Sequence, residues 1–472
     1  MIKFGTSGFR GILGDNYTKE NVQRIAYALC EIVKEDKIKK PEVVVGYDNR
    51  FMSTDFAKWA SEVLATAMKV VFYEIPAPTP LVSYEAKKRT FGFMLTASHN
   101  PYCYNGVKVQ INGGRDCDDE YAKRIEKFAN EVEYSKIQSI PFVEGVKSKK
   151  IVLANDIKNY CDGILSFVDK KKIKNSKIKV LLNAMHGNSV ACTNYIFKKL
   201  GIEYEIMHTD IDPYFEGGLP APYIQNIQDQ AKRVVKEKFD VGLAFDGDSD
   251  RFAMISSSGK YYDCNFAGAV IYYYLVKYKG QKVGIAKNYA NTSLITKLAE
   301  HFGTHSYETV VGFKNVALCL LDTDAIMGIE SNGVAFKPHS LIKDGPLTAT
   351  LIVDALCTIG KSFDDILKEM QDLVNFKSEI VEYNYILTDE QRANLYEKIF
   401  VQKEVPETKG RVVADVNYDD GCKVIYTDGY WGMFRFSGTE KVIRIYAEMK
   451  NKKECDALVA SYEKFLGVKE RQ

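Results

Sequence analysis

Residues 91–106 read FGFMLTASHNPYCYNG. The first five are an unbroken apolar run, the pattern of a strand buried on both faces. The run stops at Thr96-Ala97-Ser98, and His99-Asn100-Pro101 is turn chemistry: Asn bonds nearby backbone and Pro fixes φ. A buried strand that ends in a small hydroxyl residue has two readings. Ser98 is a turn residue, or it is a nucleophile or phosphoryl carrier presented where the strand stops. Adjacent side chains on extended backbone point to opposite faces, so direct activation of Ser98 by His99 is not expected. The G-x-S-x-G elbow is absent as well.

The same strand-then-helix rhythm extends outward from this point. EVVVGYD (42–48) reads as a buried strand and STDFAKWASEVLATAM (53–68) as an amphipathic helix capped by Ser53 or Thr54. The rhythm returns at KIKVLLNAMHG (177–187) and FDVGLAFDGD (239–248), and again at KVGIAKN (282–288) and AIMGIESNG (325–333). Such alternation predicts parallel sheets with helices on both faces. The last hundred or so residues are a string of short strands with turn signals, the texture of a smaller α+β unit. Polar linkers near 143–150, 256–263 and 370–379 divide the chain into 1–148, 149–255, 256–370 and 371–472.

A chain of 472 residues fits several domains, and 46% hydrophobic with 27% charged residues gives each a real core. Lys and Arg number 64 against 62 Asp and Glu, so no global field attracts nucleic acid or an anionic membrane. Ten cysteines are scattered without CxxC pairs, which fits reduced thiols in a cytoplasmic protein better than a disulfide framework. The first residues lack the apolar core of a signal peptide, and the longest apolar run, 266–276, is too short for a bilayer span of ~20 residues.

Four segments meet the strand-end rule for ligand sites in open sheets. The Ser98 loop is the first. The second is FDGDSDRF (245–252), where Asp246, Asp248 and Asp250 alternate directly after an apolar strand. Close carboxylates repel, so the cluster predicts a hard divalent cation, Mg²⁺ or Ca²⁺. An EF-hand would need Gly and Glu at loop positions six and twelve, where this chain has Arg251 and Ser257. The third is GIESNG (328–333), whose Glu330, Ser331 and Asn332 suit sugar hydroxyls. The fourth is RFSGTE (435–440), where Gly438 between hydroxyl residues lets backbone N–H groups converge on a phosphate, beside Arg435. GTSGFRG (5–11) has the same ingredients in Thr6, Ser7 and Arg10.

In this order, the segments resemble the α-D-phosphohexomutase superfamily over nearly the whole chain. The resemblance implies three related α/β domains with mixed sheets and a C-terminal α+β domain of the TATA-box-binding-protein-like type, all around a central cleft. It implies a phosphoserine at Ser98, and Mg²⁺ held by Asp246, Asp248, Asp250 and that serine. Arg251 would support the transferring phosphate. Arg10, Lys108 and His339 are its candidates for proton transfer. His99, His186, Gly312, Lys314, Glu330, Ser331, Asn332 and Lys343 fall on substrate-side positions, with Thr6 and Ser7. Arg435, Ser437, Gly438 and Thr439 form the implied phosphate loop. The implied activity interconverts hexose 1-phosphate and hexose 6-phosphate through a hexose 1,6-bisphosphate. Glucose phosphate is preferred. Mannose or dual use, glucosamine phosphate, and a non-catalytic sugar-phosphate sensor are the alternatives. The partner is a small hexose phosphate, with the chain a monomer or dimer. Two departures stand out. Lys441 replaces the usual Pro after S-G-T-E, and in the usual G-E-x-S-G sugar loop either Glu330 or Ser331 can be matched, not both.

Overall fold

The computed structural model describes residues 1–5, 8–111, 113–437 and 441–469. Four sheets form along the chain. In the first, strands Phe91–Leu95, Glu42–Tyr47, Lys69–Tyr73 and Ile151–Ala154 run parallel, and Tyr104–Ile111 returns antiparallel between Phe91–Leu95 and Phe9–Ile12. In the second, Glu203–Met207, Lys179–Asn183 and Val241–Phe245 are parallel, and Phe252–Ser256 returns antiparallel to meet Tyr261–Tyr262. In the third, Ser306–Thr309, Gly284–Asn288 and Ala325–Glu330 are parallel, with Gly333–Phe336 antiparallel at the edge. The sheets are therefore mixed, as the family resemblance implied and as strand–helix alternation alone did not. The fourth sheet is antiparallel throughout and is backed by the C-terminal helix Lys452–Leu466.

One device recurs in the first three units: a parallel strand ends, turns, and returns as an antiparallel neighbour. The turns are residues 96–103, 246–251 and 331–332. All three carry a segment that the sequence singled out. The central strands have the continuous apolar runs that burial on both faces requires, with Phe91–Leu95 and Val241–Phe245 buried throughout.

The first and second sheets each run a few residues past the expected divisions at 148 and 255. Ile151–Ala154 pairs with Lys69–Tyr73, and Tyr261–Tyr262 with Phe252–Ser256. The second helix spans Ser53–Leu64 with Met52 at its N-cap and no side-chain cap. Ser53 Oγ donates instead to Asp48 Oδ1 at 2.8 Å, so the site has taken a hydroxyl that the sequence assigned to capping.

Helix Gly345–Ile359 fixes how these units sit together. It is apolar on nearly all sides and buried over its first twelve residues. It joins a core continuous from Val180 and Phe245 of the second sheet to Ile329 and Val334 of the third, and on to Leu81 and Met94 of the first unit. The fourth unit has its own core around Tyr385, Val424, Ile445 and Tyr462.

Candidate active site

The turn after Val241–Phe245 places one carboxylate oxygen each of Asp246, Asp248 and Asp250 within 4.8 Å of one another. All three residues are buried. Burial, and then Asp248 and Asp250, push Asp246 up to about 8. Asp248 Oδ1 and Asp250 Oδ1 are buried without hydrogen-bond partners. Lys108 on the returning strand of the first sheet meets this charge, its Nζ 2.6 Å from Asp248 Oδ2 and 2.8 Å from Asp250 Oδ2. Burial alone would lower the Lys108 pKa, but the two aspartates outweigh it and raise the value, so the group is held as an ammonium. Arg251 Nε stands 3.8 Å from Asp246 Oδ2 and Lys343 Nζ 3.8 Å from Asp250 Oδ1. Buried carboxylate oxygens with free lone pairs and no soft ligand are donor chemistry for a hard divalent cation, and the residues fit Mg²⁺.

Ser98 faces this cluster. Its Oγ donates to Asp246 Oδ2 at 2.6 Å. The residue has φ +52°, a left-handed conformation that a non-glycine residue keeps only when its surroundings hold it. That conformation also cancels the expected alternation between Ser98 and His99. His99 Nδ1 lies 3.4 Å from Ser98 Oγ, on the same side. Burial, then Arg251 and Arg10, hold the His99 pKa well below its ordinary value, so the imidazole is neutral. Gly247 lets the two loops meet, since a Cβ there would lie 2.8 Å from the Ser98 carbonyl oxygen.

The third unit joins through backbone. The Asn332 carbonyl accepts from Phe252 N–H at 3.1 Å, and Gly345 N–H donates to the Ser249 carbonyl at 3.1 Å. Glu330 Oε1 accepts from Gly312 N–H at 2.9 Å and from the Asn288 amide at 3.1 Å. Lys343 Nζ donates to Asn332 Oδ1 at 3.2 Å. Ser331 occupies the turn beside Asn332, its carbonyl taking Cys264 N–H at 2.9 Å. Arg10 donates to Asn100 Oδ1 on the serine loop. In the fourth unit, Arg435 Nε is 3.2 Å from Asp420 Oδ1, and Asp420 Oδ2 accepts Val311 N–H at 2.6 Å, which ties that unit to the third. The Ser437 carbonyl accepts from Arg392 at 3.2 Å. Thr6, Ser7, Gly438 and Thr439 lie outside the described residues.

Three of the candidate residues have their partners away from the aspartate trio. His339 is only 1% exposed, with its ring stacked on Tyr84 and against Tyr160. Lys314 Nζ pairs with Asp119 Oδ1 at 2.6 Å and ties the third unit to the first. The His186 ring lies beside His208, Asp210 and Glu216.

Family models for phosphoglucomutase/phosphomannomutase α/β/α domains I, II and III match residues 1–136, 158–259 and 263–373 in order. The chain belongs to this family. As a phosphohexomutase it is an isomerase of the phosphotransferase type. It is 28% identical over 467 residues, 98% of each chain, to a phosphoglucosamine/phosphogalactosamine mutase of Sulfurisphaera tokodaii. It is 29% identical over 458 residues, 96% of this chain and 95% of the other, to a phosphoglucomutase/phosphomannomutase of Thermococcus kodakarensis. Among solved structures, a putative phosphomannomutase from Thermus thermophilus superposes with TM-score 0.85 at 27% identity, covering 99% of both chains.

Within this phosphohexomutase, the sequence reading missed Arg50. Its guanidinium donates to four carbonyls of the serine loop: Ser98 at 2.7 Å, Asn100 at 2.6 Å, Pro101 at 2.8 Å and Tyr104 at 3.0 Å. Asp48 pairs with it at 3.2 Å. Thr79 was missed too, with its Oγ1 donating to Asp248 Oδ2 at 2.5 Å and its N–H to the Asp248 carbonyl at 2.9 Å. A signal for Arg50 was present: Asp48-Asn49-Arg50 ends the strand beside Phe91–Leu95, where ligand loops gather.

Proposed function

We propose that this enzyme interconverts hexose 1-phosphate and hexose 6-phosphate through a phosphorylated Ser98, with glucose phosphate as substrate. The observation that carries the reading is Ser98 Oγ at 2.6 Å from Asp246 inside a buried carboxylate trio ringed by Lys108, Arg251 and Lys343. Asp246, Asp248 and Asp250 would hold Mg²⁺, which supplies charge neutralisation for the transferring phosphoryl group.

The phosphoryl group leaves Ser98 Oγ for the free hydroxyl of the bound hexose phosphate. The bond from phosphorus to Oγ breaks, a bond to the sugar oxygen forms, and the sugar hydroxyl proton passes to a neighbouring base. The resulting hexose 1,6-bisphosphate returns its other phosphoryl group to Ser98, which regenerates the enzyme with the isomeric product. Lys108 and Arg251 counter charge that moves between the two oxygens. Lys108, paired with Asp248 and Asp250, is assigned this charge-countering role as an ammonium. Glu330 and the 331–332 turn are assigned to sugar hydroxyls. Arg435 and residues 437–439 are assigned to the phosphate not reacting.

The test is a mutase assay with Mg²⁺, a trace of glucose 1,6-bisphosphate, and glucose, mannose or glucosamine 1-phosphate in parallel, following the 6-phosphates. Turnover is expected to be fastest with glucose 1-phosphate and lost in Ser98→Ala. Activity that survives Ser98→Ala sinks the carrier role. A preference for the amino sugar, for which several relatives are named, moves the substrate and leaves the reaction standing.

A further inference from the structure

We propose that His186, His208 and Glu216 form a second metal site, which takes a divalent cation of the zinc class. One donor atom of each residue lies within 4.8 Å of the others. The hydrogen bonds around the rings fix which nitrogen of each histidine is free. His208 Nδ1 is 2.9 Å from Asn183 Oδ1, and that oxygen also accepts Met185 N–H at 2.9 Å. It is therefore the acceptor end of the amide, and the ring nitrogen must donate to it. His186 Nδ1 is 3.2 Å from the Asp210 carbonyl oxygen, which can only accept. With Nδ1 donating in both rings, Nε2 is the nitrogen left to face a ligand. Metal-bound histidines are prepared in the same way, by an outer partner that holds the other nitrogen.

The two free nitrogens face carboxylates. His186 Nε2 is 3.6 Å from Glu216 Oε1, and His208 Nε2 is 3.6 Å from Asp229 Oδ2. These separations are too long for hydrogen bonds. They are near the roughly 3.3 Å that separates two ligands held at ~2.0–2.1 Å on a tetrahedral ion. His186 is 4% exposed, and its Nε2 is buried with no hydrogen-bond partner. A buried Nε2 facing a carboxylate calls for positive charge between them, which a proton or a metal ion supplies. Imidazole with carboxylate selects zinc-class ions, whereas the all-oxygen aspartate trio selects Mg²⁺, so the two sites sort different metals. The Glu216 side chain is 66% exposed and that of Asp229 51%, which leaves the site open to entry from solvent.

The position gives the site a mechanical role. Gly187, next to His186, packs so closely under the aspartate loop that a Cβ would lie 2.8 Å from the Asp246 carbonyl oxygen. Asn188 N–H donates to the Gly247 carbonyl at 3.2 Å. On the other side, Tyr214 packs against Phe51 and Tyr102, and Phe215 lies under Arg50. A cation here staples residues 208–216 to the turn that carries the catalytic aspartates.

The test is calorimetric titration of Zn²⁺ into the full-length protein kept saturated with Mg²⁺, with Co²⁺ absorption as a second readout. One Zn²⁺ per chain is expected, with intense tetrahedral Co²⁺ bands. His186 and His208 both have positive φ, which Asn tolerates, so His186→Asn and His208→Asn remove the ligand with little backbone strain. Loss of an outer partner alone costs ~10–100-fold, so loss of either ligand should weaken Zn²⁺ binding by about 100-fold or more and abolish the cobalt bands. Glu216→Gln, at an exposed position, should weaken binding by about tenfold or more with an unchanged circular dichroism spectrum, and it stands as the test if a histidine variant fails to fold. Asp248→Asn should leave the site intact. Absence of saturable Zn²⁺ binding overturns the proposal. So does binding unchanged in Glu216→Gln, or binding lost in Asp248→Asn and kept in the histidine variants.

Discussion

Arg50→Lys tests whether the serine loop is held by a clamp. Arg50 is fully buried in its side chain and bonds four carbonyls across residues 98–104 while paired with Asp48. Lysine keeps the charge but is a single point with three donors on a flexible stem, and it does not reproduce the planar fork. Two or more of the four carbonyls then lose their donor in a buried place. Each unsatisfied buried group costs ~1–3 kcal/mol, and breaking a buried ion pair outright costs ~3–5 kcal/mol, so a loss of about 3–5 kcal/mol is expected. At ~2–4 °C per kcal/mol for a unit of this size, the first unfolding transition should drop by about 10 °C. The effect on turnover is separate. Ser98 sits at φ +52°, and once the loop relaxes by even ~1 Å its oxygen leaves the position beside Asp246, at a cost of about 100-fold in kcat. The assay is mutase turnover at saturating sugar phosphate, alongside differential scanning calorimetry and amide exchange of residues 98–104. Turnover near that of the unsubstituted enzyme with no added exchange in the loop would refute the clamp.

Gly247→Ala places a Cβ 2.8 Å from the Ser98 carbonyl oxygen and should push the serine and aspartate loops apart; turnover measured beside a normal circular dichroism spectrum checks this. Lys108→Met removes the ammonium between Asp248 and Asp250, so Mg²⁺ should raise the melting temperature of this variant more than that of the unsubstituted protein; an equal rise speaks against the charge balance drawn here. Burial pushes Asp344 up to about 7. A carboxyl near 3.9 unfolded and near 7 folded binds more protons in the native state, so its contribution is full below about pH 4 and is lost as pH rises to about 7, on the order of 4 kcal/mol. Asp344→Asn should reduce the difference in denaturation midpoint between pH 5 and pH 8, and an undiminished difference removes Asp344 as its source.

The sequence by itself determined the local chemistry. Apolar runs marked the central strands, and the polar residues at their ends named Ser98, the aspartate trio and Glu330, because strand burial and strand-end polarity are written over five to ten consecutive residues. It also carried the order of motifs by which the family was recognised. It did not give the direction of the returning strands, since an apolar run reads alike in parallel and antiparallel pairs. It sent Ser98 and His99 to opposite sides because alternation assumes extended backbone, which the left-handed Ser98 does not adopt. It marked His186, His339 and Lys314 as candidates by motif match, but not their partners Glu216, Tyr84 and Asp119, which packing decides. Only the tertiary structure brought Ser98 to Asp246, Lys108 to Asp248 and Asp250, and Arg50 to the serine loop. Those contacts join different units of the chain or distant parts of one unit. They depend on how Gly345–Ile359 locks the second and third sheets together and on how many opposite charges one buried volume demands, and neither quantity exists in a linear string of residues.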